Sequence, residues 1–535
     1  MRAVSPRGAQ VFFRMLGSLP LLEGRWRPPA RGGGLLARFV ERSVAPPHHR
    51  RVRQAFLVAL GGIYFIAFTS LGRQVLGLHG SRGILPVKDL LDSPRLAALG
   101  RERYLKVPTV FWRDASDTAL VRGIRAGQVL SLAVMLGLAP QASLAALWAL
   151  YQSYVSVGRE FLSFQWDALL LEMGLLAVLT APAGLRPGAG LREPTALEVF
   201  AWRMLVFRLY LGSGLSKIQS GDRTWRELTA CDVYYETAPL PTRAGWAAHQ
   251  LPRRVQRYST LSVLALETVF PFLVFAPRPL RLLAFWLLSG LQGVIFATGN
   301  YGFFNVQSLA LGLWLLDDAA LGRVLPAPPP ARPRALWRTA VAMLAVAPPL
   351  ALGALDILGR FDRPRRMPRW LEWLERRARP LRAVNGYGLF AVMTVRRPEI
   401  SLEGSVDGRT WREYPFRYKV GALDEAPRQV APHQPRLDWQ MWFAALGSPP
   451  AWLLALIVRL LEGSPEVERL FAGNPFPEQP PRFIRAVLYD YRMTDRETRR
   501  RTGAWWARER TGRYLPSLSL APPGATYRLE WAAEA

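Results

Sequence analysis

Residues 126–157 read AGQVLSLAVMLGLAPQASLAALWALYQSYVSV, 32 residues without a charged side chain, interrupted near the middle by Pro140. A bilayer core is about 30 Å thick and an α-helix rises about 1.5 Å per residue, so about 20 residues cross it. The stretch is too long for one straight helix and short for two full ones. Proline inside a helix removes a hydrogen bond and clashes with the preceding turn. The run therefore predicts a tight helical hairpin or a re-entrant piece within a membrane.

Further apolar runs lie on both sides, at 55–71, 164–181, 199–215, 259–275, 282–297, 303–316 and 339–355, the last kinked by Pro348-Pro349. Counting the hairpin twice gives about nine spans over a multi-pass region at 54–358. An odd count places the two ends of the chain on opposite sides. Residues 1–53 carry eleven arginines against Glu23 and Glu41, broken by Gly32-Gly33-Gly34 and Pro46-Pro47. With no continuous apolar run followed by a small-residue cleavage site, this is a basic tail held on the cytoplasmic side, not a cleavable signal peptide. The proline-rich segment at 323–336 reads as an extended linker between two spans.

From 359 to 535 the pattern becomes that of a soluble domain. Ile400, Leu402 and Gly404 alternate with Glu399, Ser401 and Glu403; Asp407-Gly408 supplies a turn, and Tyr414, Phe416 and Tyr418 share a face. Val487, Tyr489, Tyr491 and Met493 alternate likewise, as do Tyr527, Leu529 and Trp531. Residues 451–461 form an apolar helix too short to span, either packed on the sheet or lying on the membrane surface or gripping a client. The fold class expected is an α-helical polytopic membrane bundle plus a C-terminal soluble α+β domain with an antiparallel β-sheet or sandwich.

Half of the 535 residues are apolar and the formal charge is +29, yet only Lys88, Lys106, Lys217 and Lys419 are lysines. The arginines flank apolar runs and fill the C-terminal region without a nucleic-acid-binding motif. They suit anionic lipid headgroups, so the bilayer is the expected partner and nucleic acid is not. Cys231 is the one cysteine, which excludes an internal disulfide and a Cys-X-X-Cys redox site. No Gly-X-Ser-X-Gly, phosphate loop or His-Glu-X-X-His occurs, and His79, His249 and His433 are far apart. No catalytic residue, metal or cofactor is expected.

Asp167 and Glu172 fall in one apolar run, and Arg203 and Arg208 in the next, at the same spacing. Unpaired charge at mid-bilayer costs several kcal/mol, so these four are expected to pair across neighbouring helices or face a polar cavity. Glu267 has no obvious mate. The loop at 217–252 offers Asp222, Arg226 and Glu236 as candidates for a polar site at the membrane surface. In 436–443, Trp439, Trp442 and Phe443 stand beside Arg436 and Asp438. This is either a partner-binding face, since Trp and Arg dominate binding hot spots, or core packing with an Arg436–Asp438 surface pair.

Several stretches together resemble the lipase maturation factor family of polytopic membrane proteins. They are FLSFQWDALLLEMGLL at 161–176, FRLYLGSGLSKIQSGDRTWRELTACDVYYETAPLP at 207–241, TGNYGFF at 298–304, NGYGL at 385–389 and PHQPRLDWQMWFAAL at 432–446. Asn474-Pro475-Phe476 and Trp505-Trp506 extend the resemblance to about residue 520. The resemblance implies a membrane-anchored maturation factor for secreted lipase-like clients, with non-catalytic client binding by the C-terminal domain. It implies the endoplasmic reticulum membrane in a eukaryote and the cytoplasmic membrane in a bacterium. Animal members carry more cysteines, and this chain has no Asn-X-Ser/Thr acceptor. The alternatives are a membrane-embedded enzyme acting on a lipidic substrate, or a transporter.

Overall fold

The structure, a computed structural model, describes residues 48–186, 192–322, 336–361, 368–521 and 529–531. Among them, nine helices occupy the apolar segments: α1 (Arg50–Gly72), α2 (Asp117–Met135), α3 (Pro140–Val157), α4 (Gln165–Thr180), α5 (Ala196–Gln219), α6 (Arg253–Thr268), α7 (Arg278–Thr298), α8 (Phe304–Gly312) and α9 (Leu336–Leu358). Pro140 opens α3 at its first turn, where its missing N–H has no helical partner to lose, and Ala139 before it turns the chain with φ 41°. Four stretches, Arg50–Gly72, Arg253–Phe275, Arg278–Thr298 and Ala340–Leu358, are long and apolar enough to cross a membrane. The 303–316 segment differs from a full span: α8 is nine residues long and tightens into a 3-10 turn at Leu313–Leu315.

The helices alternate in direction. At one pole Asp318 accepts the N–H groups of Arg50, Arg51 and Val52 at 3.0, 2.9 and 3.2 Å, capping α1 from a distant segment and complementing its dipole. The basic residues Arg50, Arg51 and Arg53 thus belong to the first helix, although the sequence places them in the tail; residues 1–47 and the linker up to 335 lie outside the described residues. The same pole holds the Ala139 N–H on Leu185 O and the Arg281–Asp317 ion pair at the start of α7. At the opposite pole, Ser70 and Gln74 at the end of α1 meet Gln434 of the C-terminal domain. Two glycines bring α1 and α2 together: a Cβ at Gly61 would lie 2.7 Å from Met135, and one at Gly127 would lie 2.5 Å from the Phe68 ring.

The C-terminal domain is a five-stranded antiparallel sheet in the order β2-β1-β3-β4-β5, with β1 Arg397–Ser405, β2 Arg412–Glu413, β3 Phe483–Met493, β4 Trp506–Leu520 and β5 Leu529–Trp531. Asp407 makes the β1–β2 turn by accepting the N–H groups of Arg409 and Thr410, and Gly408 takes φ 75°. The second strand is shorter than the alternation of Tyr414, Phe416 and Tyr418 suggests. Past Glu413 the chain leaves the ladder, and Phe416 bridges Phe471 instead. Tyr527 lies outside the described residues. Two helices, α10 (Arg436–Ala445) and α11 (Ala451–Leu461), flank the sheet, and α11 buries Trp452, Leu453, Leu456, Ile457, Leu460 and Leu461, packing against β3 and β4. One apolar cluster runs from Phe56 in the bundle through Tyr151 and Trp439 to Ile484 and Leu518 in the sheet.

Candidate functional site

The segment singled out at 436–443 is α10, and it lies between the bundle and the sheet. That position buries Arg436, Asp438, Trp439 and Trp442, while Phe443 keeps 46% of its surface exposed. Trp439 packs edge-on against Trp166, with ring centroids 4.9 Å apart, and also meets Phe164 and Tyr301. Trp442 donates its indole N–H to Thr237 O at 3.2 Å. Among the five candidates, Phe443 alone presents a large accessible apolar face.

Arg436 does not pair with Asp438. Successive helical residues are about 100° apart, so side chains two apart point to opposite sides. Arg436 reaches into the bundle instead, where its Nη1 and Nη2 bind the two Asp167 oxygens at 2.9 and 2.8 Å, and Nη1 also donates to Phe161 O at 2.6 Å. The Tyr151 hydroxyl donates to the same Asp167. The Arg436 N–H is accepted by Gln74 Oε1 at 2.8 Å, and Gln74 Nε2 donates to Gln434 O at 2.7 Å.

Asp438 faces the other way and accepts the N–H groups of Tyr418 and Lys419 at 2.8 and 2.9 Å. Burial pushes its carboxyl up to about 6, against those hydrogen bonds. Beside it, His433 meets the Tyr418 ring and binds Ser70 Oγ at 2.8 Å through Nδ1; burial and nearby arginines push it down to about 4. The two groups oppose each other in the pH dependence of folding. Between pH 4 and 6 folded Asp438 retains a proton that an unfolded aspartate, near 3.9, has lost, so its contribution to stability falls as pH rises. Folded His433 lacks a proton that an unfolded histidine, near 6.5, holds, so its contribution rises with pH up to that value. Asp438→Asn should therefore make the slope of stability against pH more positive than in the wild type, and His433→Gln should make it less positive, each by up to about 1.4 kcal/mol per pH unit. Unfolding midpoints from pH 4 to 7 read this directly; identical slopes in all three proteins would refute it.

Inside the bundle, Arg208 Nη1 donates to Glu172 Oε1, and the second Glu172 oxygen accepts from Asn385 N at 2.9 Å and from the Tyr387 hydroxyl at 2.7 Å. Asp167 and Arg203 are not partners of that pair: Asp167 belongs to Arg436, and Arg203 donates to Trp314 O at 3.1 Å and lies 3.1 Å from His49 Nε2. Glu267 has a mate, Lys217, at 2.6 Å; α5 runs on to Gln219, so this lysine is part of a helix rather than of the loop. The three loop candidates are not brought into one site. Asp222 caps the turn at Thr224 and accepts Met393 N at 3.0 Å, Glu236 accepts Met493 N at 2.7 Å, and Arg226 is exposed.

Three tethers between bundle and domain were not singled out from the sequence. Asn300 donates to Arg428 O at 2.8 Å and accepts Val430 N and Ala431 N at 2.6 and 2.8 Å. Arg397 donates to the carbonyls of Glu236, Ala238 and Pro239 and pairs with Glu399, which also binds Lys419 at 2.9 Å. Trp246 donates to Thr494 O at 2.9 Å. A polar residue in the TGNYGFF turn and an arginine opening a strand were the available signals. Among the described residues no group of three His, Cys, Asp or Glu side chains is placed to hold a metal ion. The buried charges neutralise one another and bind backbone, the work of a clamp that fixes the sheet domain on one pole of the bundle.

Comparison with known proteins matches this division. The family model described as the lipase maturation factor transmembrane domain matches residues 51–323, and that described as the lipase maturation factor C-terminal domain matches residues 383–516. The chain is 35% identical to lipase maturation factor 2 of Homo sapiens, over 89% of this chain and 83% of that protein. It is 33% identical to lipase maturation factor 1 of Bos taurus, over 87% of this chain and 89% of that protein, and 33% identical to lipase maturation factor 2 of Gallus gallus, over 89% and 82%. No solved structure matches the chain.

Proposed function

The chain belongs to the lipase maturation factor family, and from that premise we propose that it is a membrane-anchored maturation factor whose C-terminal domain holds secreted lipase-like clients as they fold, without catalysing a reaction on them. One observation carries the reading: the domain is fixed to the bundle by buried ion pairs and backbone tethers, so it is presented as a rigid platform beside the membrane. Its placement at the pole opposite the start of α1 fits a lumenal or outer position, with the Arg50, Arg51 and Arg53 end of that helix on the cytoplasmic side. That membrane is the endoplasmic reticulum in a eukaryotic cell and the cytoplasmic membrane in a bacterium.

On this platform the accessible apolar groups at the end of α10, Phe443 and Leu446, are exposed by 46% and 40% and propped from behind by Tyr514, whose single hydroxyl proton is shared between Ala444 O and Gly447 O at 2.6 and 2.9 Å. They are the proposed client contact. Phe443→Asp with Leu446→Asp should lower the unfolding midpoint modestly, through loss of the Phe443 ring contacts with Phe164, Trp439 and Trp442, and weaken client capture by about 1–2 kcal/mol beyond that, roughly 5- to 30-fold, whereas Phe443→Leu should keep most of both. Deleting the gene should lower the specific activity of secreted lipases more than their amount. Normal specific activity in every secreted lipase and esterase would defeat the proposal, and turnover of a lipid by the purified protein would replace it with an enzymatic one.

A further inference from the structure

α6 and α7 pack together at the 3-10 turns of Phe270–Phe275 and separate beyond them, leaving a cleft of about 520 Å³ floored by α5. Both walls belong to stretches long and apolar enough to cross a membrane, so the cleft opens sideways towards acyl chains. Its rim is apolar and accessible: Tyr258, Trp286 and Val294 are exposed by 69%, 71% and 57%. Along α7 it extends from Trp286 to Thr298, roughly 18 Å at helical rise. In its wall, a Cβ on Gly290 would meet nothing within 4 Å. On the floor, Lys217 and Glu267 neutralise each other, and Lys217 also donates to Leu389 O at 2.9 Å, so no charge there demands a charged ligand.

The mouth is different. Where α6 begins, Arg253, Arg254 and Arg257 are exposed, and among the described residues none of them pairs with a carboxylate. Arg254 and Arg257 flank Val255 and Tyr258, which line the cleft. Guanidinium groups bind phosphate oxygens through paired hydrogen bonds. A basic mouth on an apolar trough open to the bilayer matches one chemistry. We propose that the cleft binds a single anionic phospholipid, with an acyl chain between α6 and α7 and its phosphate held by Arg254 and Arg257. An extended peptide fits poorly, because its backbone N–H and C=O groups would lie unpaired against apolar walls.

The test uses the full chain in phosphatidylcholine nanodiscs containing either a phosphatidylglycerol or a phosphatidylcholine with a photoactivatable acyl chain. The phosphatidylglycerol probe should label residues 253–298 in preference to the exposed face of α2 around Val129. Gly290→Trp, whose Cβ meets no protein atom within 4 Å, should obstruct the trough and abolish that preference at an unchanged unfolding midpoint. Gly290→Leu is a smaller plug at the same place should tryptophan unfold the chain. Arg254→Gln and Arg257→Gln should each lower phosphatidylglycerol labelling about fivefold and lower phosphatidylcholine labelling, whose phosphate is already balanced by choline, by much less. Labelling spread evenly over the exposed apolar faces and indifferent to the Gly290 variants would overturn the proposal. So would a photo-crosslinker at position 290 that captures a second copy of the chain or a polypeptide instead of lipid.

Discussion

Replacing Arg436 with methionine is expected to loosen the C-terminal domain from the helix bundle and to destabilise the protein by about 3–5 kcal/mol, the usual consequence of stranding one partner of a buried ion pair. Asp167 has no exposed surface, and its two carboxylate oxygens receive the two Arg436 nitrogens. Without the guanidinium it would keep one strong donor, the Tyr151 hydroxyl. Arg436→Lys should recover little, because a single ammonium cannot reach both Asp167 oxygens and Phe161 O from one planar fork. Asp167→Leu combined with Arg436→Met should recover most of the loss, since exchanging a buried pair for apolar side chains is close to neutral. Thermal unfolding in detergent, with hydrogen exchange of Arg436–Ala445, separates the cases. A lone Arg436→Met variant as stable as the wild type would show that the pair does not hold the domain.

The same pair shows where sequence reasoning reaches and where it stops. The apolar runs located the helices because lipid requires long uncharged segments whatever their neighbours are, and Pro140 marked the hairpin because proline suits the first turn of a helix; Pro348 and Pro349, by contrast, lie inside α9 without ending it. Strand alternation found β1 and β3 for an equally local reason. Asp167 and Arg436 are 269 residues apart, and nothing local in either segment points to the other. The pairing of Arg436 with Asp438 was the local choice, and helical geometry rules it out. The sequence starts a loop at Lys217; in the fold α5 continues to Gln219, and Gly214 lets it approach Glu267 closely, a Cβ there lying 2.6 Å from Glu267 O. The tryptophans of α10 illustrate a last limit. Tryptophan beside arginine describes a binding hot spot and a buried domain junction equally well, and only the position of the helix between two layers decides.

The second large effect is expected at Glu172. This carboxylate joins three parts of the chain, its own helix α4, Arg208 on α5, and Asn385 and Tyr387 on the segment leading into β1, while Arg208 carries the network on to Asn385 O at 2.7 Å and to a fourth part, Asp356 on α9, at 3.6 Å. Glu172→Leu would leave Arg208 buried with only the more distant Asp356 as counter-charge and remove the acceptor for Asn385 N and the Tyr387 hydroxyl, a loss of about 3–5 kcal/mol. Glu172→Gln keeps an acceptor for those two donors and should lose less, about 1–3 kcal/mol. Glu172→Leu with Arg208→Leu should regain much of the stability, because no unpaired charge remains from the pair. These variants also distinguish a structural carboxylate from a chemical one. If Glu172 only holds helices in register, maturation of clients should follow the unfolding midpoint across all three variants. A Glu172→Gln protein that folds as firmly as the wild type but matures no client would instead assign the carboxylate a proton-transfer role that the clamp does not explain.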